Sequence, residues 1–151
     1  MWVNVLTFTI SVALFAYWFR YTCLLLLSMR PAHDYAGAVV EANALRFPQV
    51  RETLPQVSEV PHLNVLRQSL DRDYKLLRSL IEHSTEFRLA GRPIERCMLC
   101  IDYYVMNLLF RVCHRHSIER GRKALEEMAA VLAHLANMMG EAATHGLASY
   151  V

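Results

Sequence analysis

No acidic or basic side chain precedes Arg20, and residues 1–29 contain no other. A secretory signal peptide would open on basic residues, carry a shorter apolar run and end at a small-x-small cleavage site; none of these is present, so the segment is expected to be retained. Cys23 follows Arg20-Tyr21-Thr22 rather than the apolar and small residues that precede a lipidated cysteine. Lysine is nearly missing: Lys75 and Lys123 stand alone among basic residues that are otherwise arginine, a bias of the kind found in GC-rich bacterial genomes. The net charge is only +2, with acids and bases interspersed, which excludes the strong basic field of a nucleic-acid binder. Cys23, Cys97, Cys100 and Cys113 form no even framework of the kind found in secreted disulfide scaffolds. No segment alternates polar and apolar residues as a half-buried strand would, so the class is all-α. There is no phosphate loop, dinucleotide fingerprint, nucleophile elbow or zinc-protease helix, so no catalysis and no cofactor are expected. The histidines at 33, 62, 83, 134 and 145 are scattered, and the apolar segment has none to ligate haem.

What the chain does have at its start is length and apolarity. A bilayer core of about 30 Å needs roughly 20 helical residues, and residues 1–30 supply them. Trp2 at one end and Tyr17, Trp18 and Tyr21 towards the other resemble interfacial aromatic belts, which predicts a single transmembrane helix. Arg20 and Arg30 flank only its C-terminal side, so the positive-inside rule puts the N-terminus outside and the rest in the cytoplasm of a cell membrane. Arg20 either snorkels to the headgroups or pairs with a membrane partner, depending on the register of the span.

About 120 residues remain, enough for one hydrophobic core and too few for two. Pro31 predicts a short juxtamembrane helix over residues 31–47, with Tyr35, Val39, Ala42 and Phe47 on one face. Pro48, Pro55 and Pro61 mark residues 48–61 as an irregular linker. Three apolar seams then recur at steps of three and four: Leu63, Leu66, Leu70, Tyr74, Leu77 and Ile81; Ile94, Met98, Ile101, Val105, Leu108 and Val112; and Leu125, Met128, Leu132, Leu135 and Met139. The breaker Gly91-Arg92-Pro93 separates the first two helices, Ser117 caps the third and Gly140 is expected near its end. Short connections predict an antiparallel three-helix bundle over residues 62–143, the second long helix in the middle, and a frayed tail over 144–151.

Candidate chemistry is sparse. Cys97, Cys100, Cys113 and His116 offer zinc-type ligands, but within one helix His114 lies about four turns, roughly 20 Å at 1.5 Å per residue, from the face shared by Cys97 and Cys100, too far for one metal to bridge. Packed cysteines are therefore the expectation, with a metal- or thiol-dependent redox or sensor module as the alternative. Arg111, Arg115, Arg120 and Arg122 form a basic turn suited to acidic headgroups or an acidic partner surface. Tyr103, Tyr104, Phe110 and Arg111 crowd the second long helix as interface residues would. Asp71-Arg72-Asp73 and Glu126-Glu127 look like solvated faces. These features predict a non-catalytic accessory, assembly or scaffolding subunit of a larger membrane complex. It would meet lipid or protein through Trp2, Trp18, Arg20, Tyr21, Tyr103, Tyr104, Phe110, Arg111, Arg115, Arg120 and Arg122, or through its seams as a homo-oligomeric adaptor.

Overall fold

The computed structural model describes residues 1–29, 33–83 and 93–148, with side chains described up to residue 144. The described residues are helical, without strands, and the chain divides into two compact units, Met1–Arg30 and Pro31–Val151.

The first unit is one helix, α1 (Trp2–Ser28). Its mean hydropathy reaches 1.7 and only 6% of the apolar window is buried, so it is long and apolar enough to cross a bilayer. Its hydroxyls turn inward along the helix. Thr7, Thr9, Ser11 and Thr22 donate to the carbonyls of Val3, Val5, Thr7 and Trp18 at 2.8–2.9 Å, which leaves the exterior apolar.

The second unit holds α2 (Ala36–Asn43), α3 (Phe47–Thr53), a 3-10 turn (Leu54–Gln56), α4 (Val60–His83), α5 (Pro93–Cys113) and α6 (Ile118–Ala148). The central element is α6, which packs against α2, α3, α4 and α5, and not the second long helix that the sequence had suggested. Its seam of Leu125, Met128, Leu132 and Leu135 is fully buried, and small residues Ala124, Ala129 and Ala136 let neighbours approach its other faces. From α4, Leu63, Leu70, Tyr74, Leu77 and Ile81 are buried as the heptad pattern predicts. Ser117 caps α6, its Oγ accepting the Arg120 N–H at 3.4 Å.

Other expectations are corrected. The helix foreseen over 31–47 is confined to Ala36–Asn43 among the described residues, because Ala44 turns left-handed at φ 50° and ends it. The stretch 48–61 is largely helical rather than irregular. Pro48, Pro55 and Pro61 each stand second in a helix or 3-10 turn, where a missing N–H costs no hydrogen bond. Asp73 is 1% exposed and not solvated: its Oδ2 accepts the N–H groups of Arg46 and Phe47 at 2.6 and 2.7 Å, a cap on α3 supplied from 26 residues away. Glu127 is likewise half-buried, while Glu126 is exposed. Gly140 does not end α6, which runs on to Ala148. It sits where a Cβ would collide with the Tyr35 side chain, and the Tyr35 N–H donates to Asn137 Oδ1 at 2.7 Å beside it. The tail expected over 144–151 is helical as far as Ala148, and residues 149–151 lie outside the described residues, as do Pro31, Gly91 and Arg92.

The largest correction concerns α5. Five of the six residues of its predicted seam face outward: Ile94, Ile101, Val105, Leu108 and Val112 are exposed, at 74, 45, 43, 64 and 62%, while Met98 is half-buried. The buried side is instead Leu99, Asp102, Tyr103, Met106, Asn107 and Phe110. Phe110 and Leu99 supply its apolar contacts, and Asp102 and Asn107 are polar groups held in the interior.

Candidate functional site

Tyr103 and Asn107 of that inner face meet matching groups on α4. Asp71 is the hub: its Oδ1 accepts from Tyr103 Oη at 3.2 Å and from Asn107 Nδ2 at 3.3 Å, and Arg67 lies 3.9 Å from its Oδ2. Arg67 Nη1 closes the ring by donating to Asn107 Oδ1 at 3.3 Å. Four side chains thus satisfy one another across two helices, which fixes their register as an apolar contact would not. Asp71, expected on a solvated face, is two-thirds or more shielded at 28% side-chain exposure.

Above the hub lie three tyrosines. The rings of Tyr74 and Tyr103 stack at 4.0 Å and 5°, and Tyr104 meets both edge-on at 5.6 and 6.2 Å. Arg78 then bridges the helices, donating from Nη1 to Tyr104 Oη at 3.0 Å and from Nε to Glu82 Oε1 at 2.8 Å. Burial pushes the Tyr74 and Tyr103 hydroxyls well above the ordinary tyrosine range, for Tyr103 with help from the Asp71 carboxylate. The hydrogen bond and charge of Arg78 hold Glu82 below the ordinary carboxylate range. Tyr74 Oη is buried without a hydrogen-bond partner, although the Cys100 thiol and Tyr104 lie close by. Hydroxyls moved away from neutral pH are poor proton carriers, so this arrangement is suited to binding rather than acid–base chemistry.

The bridge divides the α4–α5 surface into two open grooves. One, of about 550 Å³, is lined by Asp71, Lys75, Arg78, Tyr104, Leu108 and Arg111, with Lys75, Arg78 and Arg111 giving it a positive rim. The other, of about 530 Å³, lies against Arg96, Cys97, Cys100 and Ile101.

Of the residues singled out from sequence, Tyr104 and Arg111 are brought together on the first groove, whereas Tyr103 and Phe110 are fully buried and offer no surface to a partner. Their aromatic character serves the tyrosine stack and the core. Arg115 and Arg120 are exposed around the turn after α5, and Arg122 Nη1 donates to the Pro55 carbonyl at 3.4 Å. In that turn His114 stacks on Phe110 at 4.8 Å, with Nδ1 2.8 Å from the Phe110 carbonyl. On α1, Trp2, Trp18 and Tyr21 are exposed and Arg20 is half-buried. Cys97, Cys100 and Cys113 are free thiols. Among the described residues no three histidine, cysteine or acidic side chains gather as metal ligands, so the group Cys97, Cys100, Cys113 and His116 is not assembled. Lys75 and Arg78 were missed, because the first seam drew attention to the apolar side of α4. The i,i+4 pair Arg78 and Glu82 was the available signal. No family model matches the chain, and neither a curated protein nor a solved structure matches it.

Proposed function

We propose that the protein is a non-catalytic, single-pass membrane adaptor, an accessory or assembly subunit whose helical unit docks other protein on the outer side of α5. The observation that carries this is the exposure of Ile94, Ile101, Val105, Leu108 and Val112 along one helix, beside the basic rim of Lys75, Arg78 and Arg111. A contiguous apolar strip of that extent, rimmed by polar groups, is the signature of an interaction site. The apolar α1, with exposed Trp2, Trp18 and Tyr21 near its ends, supports an anchor with aromatic belts. Arg20 and Arg30 on its C-terminal flank support an external N-terminus and a cytoplasmic helical unit, with Arg20 snorkelling to the headgroups. Lipid is then the partner of α1, and the long helices α4, α5 and α6 form the antiparallel three-helix bundle that presents α5.

Two measurements test this. A membrane-impermeant maleimide should leave the exposed Cys97 unlabelled in intact cells and label it after permeabilisation; labelling before permeabilisation reverses the topology. Extraction of the full chain in mild detergent should yield particles larger than one chain with its detergent belt. A strictly monomeric protein that co-purifies with nothing would sink the adaptor reading.

A further inference from the structure

Written as heptads, α5 carries Met98, Val105 and Val112 at position a and Ile94, Ile101 and Leu108 at position d. Its core contacts come from Leu99 and Met106 at b and Tyr103 and Phe110 at f, on the opposite side of the helix. The fold therefore buries b and f, with Asp102 at e and Asn107 at c, and leaves five of the six a/d positions exposed, Met98 being half-buried. We infer that this seam is the dimerisation interface of the protein, occupied by the α5 helix of a second copy. The inference rests on the adaptor reading and names the occupant of the surface described there.

The spacing favours another helix over a globular groove or a lipid surface. A strip laid on a flat or irregular surface needs only rough 3.6-residue periodicity, whereas strict alternation of four and three over six positions keeps a stripe facing a supercoiling helix. The seam is also self-complementary. Read in either direction it alternates a and d, so a copy related by a two-fold axis fills every layer, as an isologous contact requires. No seam position is charged or carries an amide, so nothing along it marks out a partner of different sequence. The area is adequate: with Tyr104 and Leu109 beside it, the seam exposes on the order of 600 Å² per copy, against about 800 Å² per partner in interfaces of standard size.

The test is the mass of the full chain in mild detergent, measured by light scattering with the detergent contribution removed. Two chains per particle are expected at micromolar concentration. The double substitution Val105→Glu and Leu108→Glu places charges at exposed positions, so helix content by circular dichroism should be unchanged while the particle falls to one chain. Should that variant lose helix content, Val105→Ala with Leu108→Ala is read instead, with dissociation at least ten-fold easier than in the wild type. A wild-type particle of one chain overturns the inference, and so does a natively folded glutamate variant that still holds two chains. A one-chain particle that retains a different protein overturns the dimer and leaves the adaptor; one that retains nothing overturns both.

Discussion

The two sides of α5 invert the usual relation between polarity and burial. Its inner side buries Asp102, Tyr103 and Asn107, and its outer side exposes Ile94, Ile101, Val105, Leu108 and Val112. The difference shows that the inner side was not selected by apolarity alone. Asn107 and Tyr103 are tolerated inside because Asp71 and Arg67 on α4 complete their hydrogen bonds, and that shared network sets which way the helix faces. The outer side has the more regular apolar pattern and contributes little to the fold of a single chain. Association is the role proposed for it.

The sharpest way to break this comparison is to truncate one side chain on each face. Phe110→Ala should cost about 3–5 kcal/mol, since the ring is fully buried and its neighbours cannot close the cavity. Leu108→Ala, read at dilutions where chains are separate, should cost under about 0.5 kcal/mol. Denaturant unfolding of the full chain in detergent, followed by circular dichroism, measures both. Equal losses would mean that the two sides do not differ as described.

Next in size is the remote cap on α3. Asp73→Ala should cost about 3 kcal/mol, because it leaves the buried N–H groups of Arg46 and Phe47 without an acceptor. Asp73→Asn keeps one acceptor and should cost about half as much. A neutral alanine variant would show that α3 is held by Phe47, Val50 and Leu54 alone.

The tyrosine stack sharpens the account through pH. Tyr74 and Tyr103 both have folded-state pKa values raised above the unfolded value near 10, so their contribution is complete below pH 10. Above it the unfolded chain sheds protons that the folded chain retains. Stability should then fall by about 1.4 kcal/mol per pH unit for each tyrosine, or roughly 2.7 for the pair. The smallest expected effects separate the two hydroxyls at neutral pH. Tyr103→Phe should cost about 1 kcal/mol for the bond to Asp71. Tyr74→Phe should be neutral or stabilising by up to about 1 kcal/mol, since it removes a buried hydroxyl that has no partner. Each phenylalanine variant should also halve the alkaline slope.

These contrasts explain what the sequence disclosed. The helical class, the apolar α1 and the inward seams of α4 and α6 were legible because each has one dominant apolar stripe. On α5 periodicity found a real stripe and assigned it the wrong neighbour: a helix apolar nearly all round presents two candidate faces, and the buried one was disguised by Asp102 and Asn107. Prolines 48, 55 and 61 read as breaks in the sequence, yet each opens a helix or a turn, an ambiguity inherent in a residue suited to the first turn and hostile to the interior. Asp73 gave no local signal, since its partners lie 26 and 27 residues away, and for Asp71 the i,i+4 spacing to Arg67 was a local signal that could not reveal Tyr103 and Asn107, 32 and 36 residues on. Of the proposed docking surface, Tyr104 and Arg111 were legible from composition and Arg78 had a signal in its i,i+4 pair with Glu82, while Lys75 needed the pairing of α4 with α5.

The measurement that bears most directly on the outer side of α5 is site-specific photocrosslinking in intact membranes, with a photoreactive residue at Val105 or Leu108 and, as a control, at the exposed Lys123. Crosslinks of twice the chain mass from Val105 and Leu108, with none from Lys123, are the predicted result. Absence of any protein crosslink from both seam positions, at yields no higher than the control, would contradict the assignment of this face to association.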